Sequence, residues 1–364
     1  MSEVRVVSWN MAFRDLEAAK RQGDLLRKLA PDLMLLQELN PGSSTALKEA
    51  AGADWMIRAI DLRIPEPHDA PVRRHGVAIA GNGSPPGRSW LLEGIRQSER
   101  ILIIETQTDG TPFIAVSYHA SPGVAFGIVK PQQAVAFASW LITQNGPLLL
   151  GADANTPLID ALDFANTRTH WHTGHRRLLG EPGDDRLFGP AKVHDLDDAL
   201  RRWLALHPDE LVRLYASDPS GPLAITHRTG KRKNSPGTGR RFDSVWVSRH
   251  WVVRHIEHLY EEGIAAGSDH APVMVDLELA GGPGKEEERR LGRALFSRPL
   301  IEDRSLRDPY GWSRSVLLTT SSFARSQGAS VSRSGGYVSF KGSRHVAFAV
   351  RPATLAPGFP QREQ

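Results

Sequence analysis

Short polar words follow apolar runs through most of this 364-residue chain. In order they are Ser8-Trp9-Asn10, Gln37-Glu38, Tyr118-His119-Ala120-Ser121, Gly151-Ala152-Asp153-Ala154-Asn155, Arg241-Phe242-Asp243-Ser244 and Ser268-Asp269-His270. Carboxylates, amides and imidazoles carried on strand ends can converge on one sheet edge, where a cation and a phosphate group can be held together. That combination points to hydrolysis. Taken singly, each word has a local explanation, because Asn, Asp and Ser side chains bond nearby backbone at turns. Independent turns give no reason for Asn, Glu, His, Asp, Asn, Asp, Asp and His to appear in this order, each behind a β-prone stretch.

The elements that must position these residues alternate. Short β-prone runs bounded by turn residues cover 4–7, 33–36, 76–80, 101–105, 113–117 and 148–150, and later 245–247 and 273–279. Residues 15–29 carry Leu16, Ala19, Leu25, Leu26 and Leu29 near helical spacing. Pro131 is placed to start a second helix whose Ala134, Phe137, Ala138, Leu141 and Ile142 share a face. A third helix is expected over 195–206. Several strand runs follow one another with no helix between them, so a mixed α/β architecture fits better than a doubly wound parallel sheet.

Composition narrows the chemistry. The chain is 40% hydrophobic and 24% charged, as globular proteins are, and has no cysteine. Thiolate nucleophiles, disulfides and Cys-bound metals are therefore excluded, and any metal must use oxygen and nitrogen ligands. The net charge of +4 is small for the length and suits simple solubility. Neither a signal peptide nor a spanning helix is visible, so a cytoplasmic location is the expectation. At residues 280–290 a Gly/Pro break runs into alternating charge, as a linker does. Residues 291–364, rich in Ser, Arg and Gly, are expected to form a weakly structured tail with one hairpin, 337–340 with 345–350.

The order Trp9-Asn10, Gln37-Glu38, His119, Asp153 with Asn155, Phe242-Asp243 and Ser268-Asp269-His270 resembles the endonuclease/exonuclease/phosphatase superfamily. The resemblance spans residues 4–279. It implies a DNase I-like four-layer sandwich, with two mixed β-sheets packed face to face and helices outside, and cleavage of phosphate esters with Mg²⁺ or Mn²⁺. Two words depart from the usual pattern. The Gly-Asp-Phe-Asn word has become Gly151-Ala152-Asp153-Ala154-Asn155, and Leu39-Asn40 replaces the Thr-Lys pair that follows Gln-Glu in many abasic-site endonucleases. His119-Ala120-Ser121-Pro122 is closer to the DNase I side of the family.

Phosphate-ester hydrolysis needs a cation, an activated water and donors for the extra charge of the transition state. Glu38 with Asn10 beside it is the best oxygen site for a hard ion. Asp153 is the candidate base, and Asn155 would orient the water or the phosphate. The resemblance adds Asp269 to the metal set, makes Asp269 and His270 a second catalytic unit, and gives His270 the phosphate-donor role, with its basicity raised by a carboxylate. It puts His119 on the phosphate or the leaving group, and Asp243 in an orienting role.

Two other clusters compete. His170, His172 and His175 approach a zinc-binding word, but Gly174 stands where such words carry Asp. A basic loop with Arg228, Lys231, Arg232, Lys233, Arg240 and Arg241 leads into Asp243, where it would overhang a phosphate pocket. Arg88, Arg96 and Arg100 are further basic candidates. The reading is a nuclease-type phosphodiesterase acting on a phosphate-ester substrate, nucleic acid among the possibilities. The alternatives are an enzyme for inositol phosphates, lipid headgroups or other small phosphorylated molecules, and a non-catalytic polyanion-binding protein on the same fold. Oligomeric state stays open.

Overall fold

The computed structural model describes residues 3–63, 75–122, 128–169, 183–218, 221–230, 235 and 237–280, and the backbone of 331–334, 337–340 and 347–349. They fall into two units, Met1–Ser297 and Arg298–Gln364. The first contains two six-stranded sheets. One has the order β13 (Trp251–His258), β14 (Val273–Leu279), β1 (Glu3–Asn10), β2 (Leu33–Leu39), β4 (Gly76–Gly81), β3 (Trp55–Arg58). The other runs β5 (Arg88–Leu91), β6 (Ile101–Thr108), β7 (Thr111–His119), β8 (Leu148–Asp153), β12 (Asp243–Val247), β9 (Asp197–Asp198). Each sheet has one parallel pair, β1 with β2 and β7 with β8. A parallel pair needs a crossover, and the helices Leu16–Leu29 and Val129–Ile142 supply the two.

Side-chain alternation makes the layers. On β1, Val4 and Val6 join the core between the sheets, while Val7 and Trp9 join a second core shared with the Leu16–Leu29 helix through Ala19 and Leu26. On β8, Leu149 faces the central core, and Leu148, Leu150 and Ala152 pack with Phe137, Ala138 and Leu141 of the Val129–Ile142 helix. The result is the expected order of helix, sheet, sheet, helix.

Most expected strands are present and extend one to several residues toward the polar words. The first helix starts one residue later than read, because Asp15 is its N-cap and accepts from Ala18 N–H at 2.9 Å. The third helix begins only at Ala199, since Asp197 and Asp198 pair with β12 as β9. In the second unit, Val331–Ser334, Tyr337–Phe340 and Ala347–Ala349 form a three-stranded antiparallel sheet, one strand more than the expected hairpin. The remainder of the 280–290 linker and the 291–364 tail lies outside the described residues beyond Ala280. Among the described residues no helix is long and apolar enough to cross a membrane.

The sheets approach closely beneath the polar edge. A Cβ on Gly151 would lie 2.6 Å from Ser8 Oγ and 2.7 Å from Leu35 Cδ1, so this position admits only glycine at the present spacing. Gln37 bridges the same gap, its Nε2 lying 3.3 Å from Ser8 Oγ and 3.2 Å from Ser117 Oγ on the opposing sheet.

One expected substrate contact is structural instead. Arg241 is buried at the entry to β12 and forks onto two carboxylates, with Nε 2.6 Å from Asp160 Oδ2 and Nη2 2.6 Å from Asp198 Oδ2. Arg201 shares Asp160 at 2.6 Å, so two guanidiniums balance two carboxylates. With its donors so engaged and no exposed face, Arg241 cannot reach a substrate. Removing one cation leaves a buried negative charge uncompensated. Arg241→Ala is therefore expected to lower stability by about 3–5 kcal/mol, read from denaturant midpoints. A change below about 0.5 kcal/mol, the range of an ordinary surface substitution, would return Arg241 to the surface role.

Candidate active site

Strand register gathers the polar words. His119 pairs with Asp153 across the parallel β7–β8 ladder, and Asp153 pairs with Asp243 across β8–β12, so three site residues stand abreast at one end of one sheet. On the other sheet Asn10 ends β1 opposite Gln37 of β2. Glu38 escapes strand alternation because the β2–β4 pairing slips between Leu36 and Leu39, and Glu38 itself has φ of 50°. The Ser268-Asp269-His270 segment enters the same edge just ahead of β14, where Ser268 Oγ donates to the Asn10 carbonyl and accepts from His270 N–H.

At one side lies an acidic floor. Asn10 Nδ2 donates to Asp153 Oδ2 at 2.7 Å, while its Oδ1 accepts from Ala12 N–H. Asn155 turns back in a left-handed conformation, φ 47°, and its N–H donates to Asp153 Oδ1 at 3.0 Å. Its side-chain amide donates to the Ala120 carbonyl at 3.2 Å. His119 Nε2 lies 3.3 Å from Glu38 Oε1 and 3.5 Å from Asp153 Oδ2. Burial and the neighbouring Asp153 raise Glu38 to about 7. Two carboxylates thus share one small space, with the charge of one suppressed. The donor set suits a hard dication.

The other side is cationic. His270 Nδ1 is 2.8 Å from Asp243 Oδ2, and both are buried. Burial opposes charge on the imidazole, but Asp243 and then Asp153 outweigh it and raise His270 to about 10. Burial also raises Asp243, to about 6, against the pull of His270. Burial works against the Asp153 carboxylate too, yet His270, His119 and the Asn10 hydrogen bond together hold it below its ordinary range. His119 goes the opposite way. Burial and the Arg100 guanidinium, whose Nη1 is 2.8 Å from His119 Nδ1, lower it to about 3, so this imidazole is neutral.

Of the expected site residues, Asn10, Glu38, His119, Asp153, Asn155, Asp243 and His270 come together. Asp269 turns outward. Its half-exposed carboxylate meets Arg14 Nη2 at 3.5 Å and groups with His227 and His270, whereas Glu38 groups with His119 and Asp153. The carboxylate that pairs with His270 is thus Asp243, not its chain neighbour. In the basic loop, Arg228 sits over the Tyr260 ring and Arg240 donates to the Leu158 carbonyl. Lys231, Arg232 and Lys233 lie outside the described residues, as do His170, His172 and His175. Arg96 is exposed, and Arg88 lies over Trp90.

Sequence reasoning missed several supports. Arg100, read only as a surface candidate, is buried beside His119. Lys130 pairs with buried Asp184 at 2.8 Å and donates to the Asn155 carbonyl at 3.0 Å, and no motif marks it. His227 stacks on His270 with ring centroids 4.4 Å apart. Trp9 is more than an apolar marker, because its indole N–H donates to the His270 carbonyl at 2.9 Å.

Comparison with solved structures places this architecture. D. rerio TDP2 complexed with a single-strand DNA product superposes with a TM-score of 0.51 at 16% identity, covering 76% of this chain and 100% of that one. An endonuclease/exonuclease/phosphatase from Beutenbergia cavernae DSM 12333 gives 0.50 at 19% identity, over 78% and 73% of the two chains. A humanized D. rerio TDP2 carrying 14 mutations gives 0.50 at 15%, over 76% and 100%. At these identities the likeness carries the fold alone. No curated protein matches the chain significantly in sequence. The profile of one family, however, matches residues 7–270, which contain every convergent side chain described above. The chain belongs to the endonuclease/exonuclease/phosphatase family.

Proposed function

We propose that this protein is a divalent-metal-dependent phosphodiesterase of the nuclease type, with its catalytic unit in residues 1–279. The observation that carries the reading is the opposition, across one buried edge, of the Glu38–Asp153 carboxylates and the His270 imidazolium. Glu38, with Asn10 and Asp153 beside it, would hold Mg²⁺, or Mn²⁺ in its stead. When bound, such an ion neutralises charge on the phosphoryl oxygens.

The chain's own residues do the rest. Asp153 remains ionised at neutral pH and accepts the proton of the attacking water, while Asn155, braced by Lys130, orients that water or the phosphate. His270 donates to a non-bridging phosphoryl oxygen, and Asp243 keeps it charged and aimed. Neutral His119 serves as a hydrogen-bond donor on the floor of the site rather than as a proton source.

A nucleic-acid strand is the favoured substrate class. The loop ahead of Asp243 carries Arg228, Lys231, Arg232, Lys233 and Arg240 in its sequence, and Lys and Arg near a phosphate site favour a polyanion. A fold relative, D. rerio TDP2, has been crystallised with a single-strand DNA product, which makes a DNA strand the first substrate to test.

Full-length protein is expected to cleave single-stranded or duplex DNA in Mg²⁺ but not in EDTA, and to leave inositol phosphates largely intact. Glu38→Ala and His270→Ala should each reduce kcat by about 10²-fold or more, the loss typical of removing one transition-state contact. Turnover persisting in EDTA, or surviving His270→Ala within a few-fold, would sink the mechanism. Preference for inositol phosphates over DNA would keep the chemistry and reverse the substrate assignment.

The pH profile provides a second check. His270 works in its charged form, which persists below its folded-state value of about 10 and is lost above it, whereas an ordinary histidine loses charge above 6.5. The alkaline fall in kcat should therefore come near pH 10 in the wild type and move toward neutrality in Asp243→Asn. An alkaline limb that Asp243→Asn leaves in place would contradict the pairing.

A further inference from the structure

We propose that the lip of the cleft carries a second cation site, formed by His227, Asp269 and His270, which takes a borderline-soft dication such as Zn²⁺ and so closes the cleft to phosphate. The three side chains bring one potential ligand atom each to within 4.8 Å of one another. His227, on strand β10 (His227–Thr229), forms an antiparallel bridge with His270, and bridged residues project to the same side with their Cβ atoms close together. The resulting pair of imidazoles stands side by side, 4.4 Å between centroids.

Each ring has its Nδ1 engaged in a hydrogen bond. His270 uses Nδ1 on Asp243 at 2.8 Å, the carboxylate–histidine arrangement that fixes a ring and raises its basicity, and this leaves Nε2 for a metal. His227 uses Nδ1 on the Asp269 backbone carbonyl at 3.1 Å, which likewise leaves Nε2. Asp269 supplies a carboxylate whose present partner, Arg14, is a half-exposed contact at 3.5 Å. Two imidazoles and one carboxylate form a set that prefers Zn²⁺ to Mg²⁺, the reverse of the oxygen-rich group around Glu38. The two groups divide hard and soft ions between them.

Occupation has a defined chemical cost. A metal–nitrogen bond forms at His270 Nε2 and the proton there goes to solvent, so the imidazolium that would face a phosphoryl oxygen is consumed. Inhibition by Zn²⁺ in the presence of Mg²⁺ follows. That consequence rests on the function proposed above, while the binding itself does not.

Binding and inhibition are therefore measured separately. Isothermal titration of full-length protein with Zn²⁺ in saturating Mg²⁺ would be run on wild type, His227→Phe, His227→Gln and a variant with His170, His172 and His175 all changed to Ala. His227→Phe keeps a ring stacked on His270 without a ligand atom, and His227→Gln provides the measurement if the first variant folds poorly, with circular dichroism as the check. One Zn²⁺ should bind the wild type at this site and persist in the triple variant, while either His227 substitution should weaken it at least tenfold. Zn²⁺ inhibition of DNA cleavage, expressed relative to each variant's own zinc-free rate, should fall in step. Zinc binding undiminished in both His227 variants, or lost only in the triple variant, would overturn the site. Binding that depends on His227 without any inhibition would keep the site and overturn the role given to His270.

Discussion

An imidazole and a carboxylate 2.8 Å apart, His270 and Asp243, set the charge state of the whole cleft. Burial alone would leave the imidazole neutral, and the pairing reverses that. The resulting cation then acts on its neighbours. It favours the charged forms of Asp153, Glu38 and Asp243, and it opposes protonation of His119 and His227. One pair thus divides a crowded group of titratable side chains into a single imidazolium, neutral imidazoles and carboxylates available to a cation. Such a division of protonation states is what phosphoryl chemistry near neutral pH requires.

The fold exists around that pair in a specific sense. Asp243 stands at the first position of β12 and His270 just before β14, on different sheets, so their separation is the separation of the sheets. Gly151 permits the close approach, and Gln37 ties Ser8 to Ser117 across it. Behind Asp243, the two-arginine, two-aspartate cluster holds the start of β12, and Thr226 Oγ1 accepts from Asp243 N–H at 3.0 Å. Trp9, on the strand beside β14, and Ser268, in the same loop, fix the backbone of His270. Asp153, Asp243 and His270 are each held through backbone as well as side chain.

Much of this could be read from the residues in order, for a physical reason. Polar groups that end apolar β runs must lie at a sheet edge, and strand alternation determines which core each apolar residue enters, as Val6 and Val7 show. The family resemblance then carried the fold. What sequence could not supply was pairing in space. Asp269, adjacent to His270 in the chain, was the natural partner by proximity, yet its carboxylate meets Arg14, and Asp243, from a distant strand, takes the place. Arg241 read as a phosphate ligand because its two carboxylates, Asp160 and Asp198, belong to segments far from it in sequence. Arg100, Lys130 and His227 were missed because each acts through a tertiary contact that no local spacing announces. The strands Trp55–Arg58 and Arg88–Leu91, short and only partly buried, lacked a clear apolar signal.

The charge on His270 is the central claim, and nitrogen-15 NMR of the ring in the full-length protein tests it directly. At pH 8 both ring nitrogens should carry protons, with a titration midpoint near 10. A midpoint close to the ordinary value of 6.5, with a neutral ring at pH 8, would contradict the account.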